Sequence, residues 1–472
     1  MLIGRKKEID ILHTVLASEK AEMIAVIGRR RVGKTFLIKS IYKQQLIFQL
    51  TGLQNGSPKE QLLAFTDGLE QLSGEEIQRP KDWLEAFLLL KKYLKPHMSH
   101  ERKQVLFFDE LPWLASPEPS FLRALGHFWN SWASDQNLVV VLCGSASSWI
   151  IQKVINDKGG LHNRISRYLH LKPFTLNETE AFFQSRNMNF TRYQIIQMYM
   201  TFGGIPLYLE AVDGNKSAIQ NINEICFTRT GLLQNEFHRL YPALFDHADN
   251  HIAIIRTLAT KRIGLSRTEI IAQAKVPNGS STSKVLEELE QSDFIMAYSP
   301  FGKKKKDKIY RLIDEYSLFY LRFIEHSAYE GDGAFMQISQ TQAFKIWCGY
   351  AYESICMKHI PQIKQALGIS GVFTSTFSFF KKRVKEEKGL QLDMMLERAD
   401  RIIHLFEIKF YNTEFELTKD YADRLRDRLQ LFQKFSKTRK QLMLTVITTF
   451  GLSSNKHSMG LINQVLTLDD LF

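Results

Sequence analysis

Short apolar runs alternate with helical periodicities through the first third of the chain. Runs suited to buried strands stand at 23–27, 46–51 ("LIFQLT"), 104–109 ("QVLFFD"), 138–143 ("LVVVLC") and 168–171, and apolar residues fall at helical spacing over 34–43, 58–71, 82–94 and 120–133. Apolar strands separated by helices predict a parallel sheet covered by helices, so residues 1–174 are expected as one α/β domain. From 175 to 248 the strand-like runs stop. "NETEAFFQSRN" offers Asn177 as a helix cap with Glu180 three residues on, opening an all-helical segment.

Residues 249–312 change pattern again. "HIAIIRTLA", "SRTEIIAQAKV" and "SSTSKVLEELEQSDFI" read as three short helices, and "IMAYSPFGKKKKDKIYRLID" as two β-like runs around a loop with Gly302 and a run of lysines. Three helices followed by such a hairpin predict a winged helix. Residues 313–472 return to mixed structure. "FKIWCGYAYESICMKHI" is helical, strands are expected near 371–379, 390–398, 402–410 and 442–449, and an amphipathic helix over 417–435.

The first strand leads directly into candidate chemistry. Gly28 to Thr35 reads G-x-x-x-x-G-K-T, and Phe36, Leu37, Ile38 and Ile41 continue at helical spacing, so the loop joins a strand to a helix. In that context successive backbone N–H groups turn inward at a helix N-terminus and can cradle a triphosphate. Gly28, Arg29, Arg30, Arg31, Val32, Gly33, Lys34, Thr35 and Phe36 are the expected ATP contacts. Lys34 is placed on the β- and γ-phosphates and the Thr35 hydroxyl on Mg²⁺. The third strand ends in Asp109 and Glu110, at the carboxyl edge where such sheets bind ligands. Asp109 is expected in the Mg²⁺ shell, with Glu110 orienting or deprotonating the attacking water.

Composition narrows the classes. Of 472 residues 44% are hydrophobic, enough to bury several cores, and the formal charge of +12 suits an anionic partner such as nucleic acid. Cys143, Cys226, Cys348 and Cys356 form no C-x-x-C pair and lie in no zinc-ligand spacing, so neither zinc nor a disulfide framework is expected and a reduced cytoplasmic setting fits. "MLIGRKKEIDIL" lacks a signal-peptide apolar core, and no apolar run is long enough to span a bilayer.

"IGRKKEIDIL", "GRRRVGKT", "FFDELPWL", "VLCGSAS" and "GGIPLYL" occur in the order seen in archaeal-type ATPases of the signal-transducing, AAA+-like P-loop class, which the whole chain resembles. The resemblance implies a P-loop sheet with a helical lid, followed by a winged helix and a nuclease-like α/β domain. It places Gly4, Arg5 and Glu8 near the nucleotide base, Ser145 at a polar sensor position, and Gly204 and Pro206 in the lid against nucleotide. It also implies a γ-phosphate-sensing arginine before "HLKPF". Arg164 is preferred to Arg167, although Asn163 stands where relatives have glycine. An arginine acting in trans would make the protein a homo-oligomer.

The basic second half points to DNA. Ser280, Ser281, Thr282, Ser283 and Lys284 start the helix that a winged helix lays in the major groove, and Lys303–Lys306 form the wing tip, where they would displace counterions from phosphate. Winged helices also bind proteins, so a protein partner stays open. "LQLDMMLERADRIIHLFEIKF" sets Asp393 on one strand and Glu407 and Lys409 on the next. Residues two apart on a strand share a face, and an antiparallel neighbour would bring Asp393 beside them. Two carboxylates and a lysine at one sheet surface are what Mg²⁺-dependent phosphodiester cleavage requires. These residues resemble the PD-(D/E)xK nuclease superfamily, which implies Glu353 as a supporting metal ligand beside Asp393 and Glu407. Leu392 replaces the proline of the superfamily's name. Two readings follow, an active metal site with Asp393, Glu407 and Lys409 as catalytic residues, or an inert nuclease fold in a regulator whose ATPase switches DNA or protein binding.

Overall fold

The computed structural model describes residues 2–99, 101–115, 120–245, 247–302, 307–327, 331, 333–381 and 389–472. By compactness the chain divides into two units. The first is Met1–Pro173 with Leu244–Asp246 and Glu287–Asp293, and the second is the remainder.

The first unit is built on a parallel five-stranded sheet of β1 (Glu22–Ile27), β2 (Leu46–Thr51), β3 (Gln104–Asp109), β4 (Leu138–Gly144) and β5 (Arg167–His170), in the order β2-β3-β4-β1-β5. Every residue of β1, β3 and β4 is buried. That explains their unbroken apolar runs, since a parallel strand covered on both faces has no solvent side to mark with polar residues. One side is packed by an aromatic cluster in which Phe87, Phe108, Phe121 and Trp83 meet at ring separations of 4.7–6.4 Å. This α/β sheet is of the P-loop ATPase type, with β1, β3 and β4 delivering their C-terminal ends to one edge.

The second unit begins with helices. The first, Leu176–Gln184, is capped by Thr175, whose side chain accepts from the Glu178 N–H while the Glu178 carboxylate accepts from the Thr175 N–H at 2.9 Å. The expected cap at Asn177 is thus inside the helix. Both boxes satisfy the spacing rule, and the earlier one wins because it brings Leu176 and Thr179 into the interior at the first turn.

Helices Asp249–Ala259, Arg267–Ala274 and Ser280–Gln291 pack with a small antiparallel sheet of β6 (Leu265–Ser266), which lies between the first two helices, and β7 (Ile295–Tyr298) and β8 (Ile309–Leu312), which follow the third, in the order β6-β8-β7. The C-terminal segment contributes β9 (Thr374–Lys381), β10 (Leu390–Arg398), β11 (Ile402–Lys409), β12 (Phe415–Glu416), β13 (Gln441–Thr448), β14 (Leu452–Ser453) and β15 (Gln464–Leu466). Five of these form a mixed sheet ordered β15-β13-β11-β10-β9, antiparallel through β9, β10 and β11 and parallel beyond, while β12 pairs with β14. Helix Lys419–Ser436 packs Ala422, Leu425 and Phe432 onto one face of the mixed sheet.

The small sheet and the mixed sheet are joined by backbone and side-chain contacts. Phe301 donates its N–H to the Ser378 carbonyl of β9 at 3.0 Å, and its ring lies 5.6 Å from both Phe377 and Phe432. On β8, Arg311 is 4% exposed and donates to Ser354 Oγ at 2.8 Å and Met357 Sδ at 3.0 Å on helix Gln342–Lys358.

His359 ends that helix in the interior. Its Nδ1–H donates to the Ile355 carbonyl at 2.8 Å, and Nε2 accepts from the Leu176 N–H at 3.2 Å. This pairing uses the neutral ring, and burial depresses the imidazole to about 4. The unfolded chain therefore takes up this proton first, near the ordinary value of about 6.5, and stability falls as pH drops from there to about 4. The contribution reaches roughly 3 kcal/mol at the acid end of that window. In urea titrations, His359→Gln should be less stable than the native chain at pH 7.5 but lose less stability between pH 6.5 and 4.

Candidate functional site

The loop after β1 owes its shape to three constraints. Gly28 has φ +146°, and a Cβ there would stand 2.3 Å from the Leu171 carbonyl oxygen. The chain after β5 is fixed at that spot because the Leu171 N–H donates to the Ile27 carbonyl at 2.8 Å. Gly33 takes φ +89° as the residue before helix Lys34–Ile41. Lys34, 6% exposed, donates to the Gly28 carbonyl at 2.6 Å and the Arg29 carbonyl at 3.0 Å, so the loop curls around its own lysine. Burial lowers the Lys34 ammonium, and the nearby Glu110 and Asp109 oppose that shift.

The two acids after β3 do different things. Asp109 is buried and accepts from Thr35 Oγ1 at 2.6 Å. This places a hydroxyl and a carboxylate side by side, a hard oxygen set that fits Mg²⁺. Glu110 adopts φ +45° and ψ +49°, a left-handed conformation uncommon outside glycine, and its carboxylate accepts from Ser145 Oγ at 2.9 Å and from the Ser145 N–H at 3.2 Å. Ser145 follows β4, so the structure ties together two side chains that the sequence presents separately.

Arg5 braces the loop from outside. It is buried, with φ +60°, and donates to the carbonyls of Val32 at 3.1 Å and Lys172 at 2.6 Å. The three loop arginines separate. Arg29 is buried, Arg30 lies 5.8 Å from the Trp113 ring, and Arg31 has φ +71°. Phe36 is 54% exposed. Arg164 and Arg167 are both exposed, the second on β5. Asn163 has φ +54°, so it takes the backbone conformation that a glycine would supply. Pro206 starts the helix Pro206–Leu209 in the second unit, after Gly204, whose Cβ would collide with Phe174.

In the second unit Ser280, Ser281, Ser283 and Lys284 are exposed at the start of their helix. Thr282 is not: it is 2% exposed and its hydroxyl is given to the Pro277 carbonyl. Arg267 braces the same turn through Asn278 Oδ1 at 3.0 Å, the Gly279 carbonyl at 2.8 Å and Ser283 Oγ at 3.2 Å. Lys303–Lys306 lie outside the described residues.

The C-terminal acids occupy two environments. Glu407 and Lys409 are 2.8 Å apart, and the Glu407 carboxylate also accepts from Arg428 at 2.7 Å and from the Tyr421 hydroxyl, both on helix Lys419–Ser436. Burial pushes the Glu407 carboxyl up, but Lys409 and Arg428 outweigh it and hold it below its ordinary range. Asp393 goes elsewhere. The ladder between β10 and β11 stops at Met395–Leu405, two residues short of an Asp393–Glu407 pair, and the β9–β10 register shifts between Leu392 and Met395. Leu392 and Met395 belong to the buried cluster that also holds Leu425 and Phe432, and Asp393 stands between them at the register shift. There it lies 3.4 Å from Arg262, which is also 3.6 Å from Glu353. Burial, then Asp393, push the Glu353 carboxyl up to about 7. Among the described residues no three His, Cys, Asp or Glu side chains gather as a metal-holding group, so in this arrangement Glu353, Asp393 and Glu407 do not converge.

A strand, a glycine loop closed on a buried lysine, and a threonine bonded to a strand-end aspartate define the first unit as a P-loop ATPase. Residues 2–212 match the family described as an ATPase domain predominantly from Archaea, so the chain carries an archaeal-type ATPase domain whose activity is ATP hydrolysis. An uncharacterized protein of Methanocaldococcus jannaschii is 22% identical over 435 residues, spanning 90% of this chain and 91% of that one. An uncharacterized ATP-binding protein of the same organism is 43% identical over 47 residues, 10% of this chain and 80% of that one. Among solved structures, a Walker-type ATPase of Pyrococcus abyssi superposes with a TM-score of 0.49 at 18% identity, covering 68% of this chain and 96% of that one. The four cysteines are buried free thiols, and among the described residues no helix is long and apolar enough to cross a membrane.

Substitutions separate these roles. Phosphate release from ATP should be lost in Lys34→Ala. In Glu110→Gln it should slow by about two to four orders of magnitude, the range for one general base, while nucleotide affinity is nearly kept. Gly28→Ala should lose nucleotide binding itself, because its methyl cannot coexist with the Leu171 carbonyl. Glu110→Gln hydrolysing at the native rate would remove it from the chemistry.

Proposed function

We propose that the protein is a Mg²⁺-ATP-dependent switch that binds DNA through a winged helix formed by residues 249–312 and carries a PD-(D/E)xK nuclease-like domain in residues 313–472. In this reading Thr35 and Asp109 hold Mg²⁺, which when bound neutralises charge on the phosphates. Lys34 meets the β- and γ-phosphates, and Glu110, positioned by Ser145, orients the attacking water.

The observation that carries DNA binding is the arrangement of 249–312. Three short helices, the first two separated by β6, precede the β7–β8 pair that completes a three-stranded sheet, and the third helix starts with exposed Ser280, Ser281, Ser283 and Lys284. The β7–β8 connection holds the Lys303–Lys306 run. Small hydroxyls at a helix start suit close approach to the duplex, and a lysine hairpin suits phosphate.

For the C-terminal domain one observation favours the second reading, a regulator that does not cut. Each of the three acids is already engaged by a cation of the protein itself, Arg262 for Glu353 and Asp393, and Lys409 with Arg428 for Glu407.

Replacing Lys303 to Lys306 with serine should weaken binding to duplex DNA and flatten its dependence on salt, by about 0.9 in the slope of log K against log salt for each phosphate no longer neutralised. Fluorescence anisotropy over a salt series measures both. Unchanged affinity and slope would take the hairpin out of the interface.

A further inference from the structure

Arg262 stands where the acid pair of the C-terminal domain would otherwise be bare. It lies in the turn between helix Asp249–Ala259 and β6, which is closed by the Gly264 N–H on the Lys261 carbonyl at 2.9 Å. Its two terminal nitrogens divide between the acids, Nη1 at 3.6 Å from Glu353 Oε1 and Nη2 at 3.4 Å from Asp393 Oδ2. The guanidinium is also 4.5 Å from the Tyr350 ring centroid. These carboxylate contacts are longer than a strong charge-assisted hydrogen bond, so the guanidinium sits between the acids without locking onto either.

The acid pair shows that it lacks something. Glu353 is only 8% exposed, yet its second oxygen, Oε2, is buried with no hydrogen-bond partner among the described residues. A buried carboxylate oxygen left in that state is costly, and a cation at closer range would relieve it. Asp393 has Oδ1 satisfied by Gln391 at 2.7 Å, leaving Oδ2 toward Arg262. A cavity of about 890 Å³, lined by Arg262, Tyr350, Glu353 and Lys409 among others, gives an ion a path to this place.

We propose that Arg262 is a built-in cation that occupies the seat of Glu353 and Asp393, so that a divalent metal ion enters only when the guanidinium swings out. The inference rests on the nuclease-like reading for what the seat is used for, but not for its existence. It explains why the domain's acids do not gather as a metal group: a monovalent side chain already balances two of them at longer range. Arg262 is free to leave, because its side chain is 31% exposed and, among the described residues, makes no hydrogen bond to backbone in the turn that carries it. The turn itself is held by the hairpin. The Tyr298 hydroxyl of β7 donates to the Ile263 carbonyl, next to Arg262, and Gly264, with φ +81°, would bring a Cβ 2.3 Å from the Tyr310 backbone carbonyl oxygen on β8.

The test is Mn²⁺ binding to the full chain without nucleotide, followed by loss of the free-ion electron paramagnetic resonance signal. Arg262→Gln and Arg262→Ala should each gain one ion per chain over the native protein, with affinity raised roughly tenfold or more, because apparent affinity falls in proportion to the fraction of chains whose seat is open. Arg262→Lys, which keeps the charge, should stay near the native level. Adding Asp393→Asn to Arg262→Gln should abolish the gain. Circular dichroism and thermal unfolding establish that each variant is folded, with Arg262→Gln preserving most of the side chain's volume. A folded Arg262→Gln protein that takes up no more Mn²⁺ than the native chain overturns the proposal, as does a gain that survives Asp393→Asn. Cutting of supercoiled DNA is scored separately on the same variants. A gained ion without cutting keeps the lock and removes the nuclease activity, whereas cutting by a native chain that binds Mn²⁺ as tightly as Arg262→Gln removes the lock and keeps the nuclease.

Discussion

A charge taken out of water must find a partner inside the fold, and this requirement sets both sites of the molecule. Lys34 is buried beneath its own loop and turns its ammonium to the carbonyls of Gly28 and Arg29. Glu407 is buried beneath helix Lys419–Ser436 and collects Lys409, Arg428 and the Tyr421 hydroxyl. In each case desolvation alone would drive the group toward its neutral form, and the partners determine how far it moves. The lysine keeps company with carbonyl dipoles that a phosphate can replace. The glutamate is held by full charges on two sides and remains ionised.

The same rule explains the shape of the nucleotide loop. Gly28 is required by the close passage of the Leu171 carbonyl as much as by any ligand, and Arg5 ties Val32 to Lys172 with one guanidinium. The loop is thus formed by the protein before it meets a phosphate, which lowers the ordering that binding must supply. Glu110, strained into a left-handed conformation and fixed to Ser145, is a second instance of preparation at this edge.

In the second unit, packing has merged what pattern alone separates. Phe301 enters the aromatic core of the mixed sheet, and Arg311 is buried against helix Gln342–Lys358. The hairpin that follows three helices is consequently part of the same compact body as the acids Glu353 and Asp393. A lone turn residue, Arg262, gains its position from that merger, and nothing in the periodicity around it marks it out.

Read as residues alone, the chain determines the elements and the nucleotide chemistry. Six-residue apolar strands, G-x-x-x-x-G-K-T and a strand ending in Asp109 and Glu110 are local signals, because a buried parallel strand and a phosphate loop are specified by neighbours within a few positions. The pairing of Glu407 with Lys409 is local for the same reason, two residues on one strand. Whether Asp393 joins them is not local. That depends on a register shift between Leu392 and Met395, beside Asp393, and on cations from distant segments that claim each acid first. The Gly28–Leu171 contact and the Glu110–Ser145 bond belong to the same class. Spacing shows which side chains share a strand face or a helix turn, whereas only tertiary packing decides which charges are near enough, and dry enough, to choose one another.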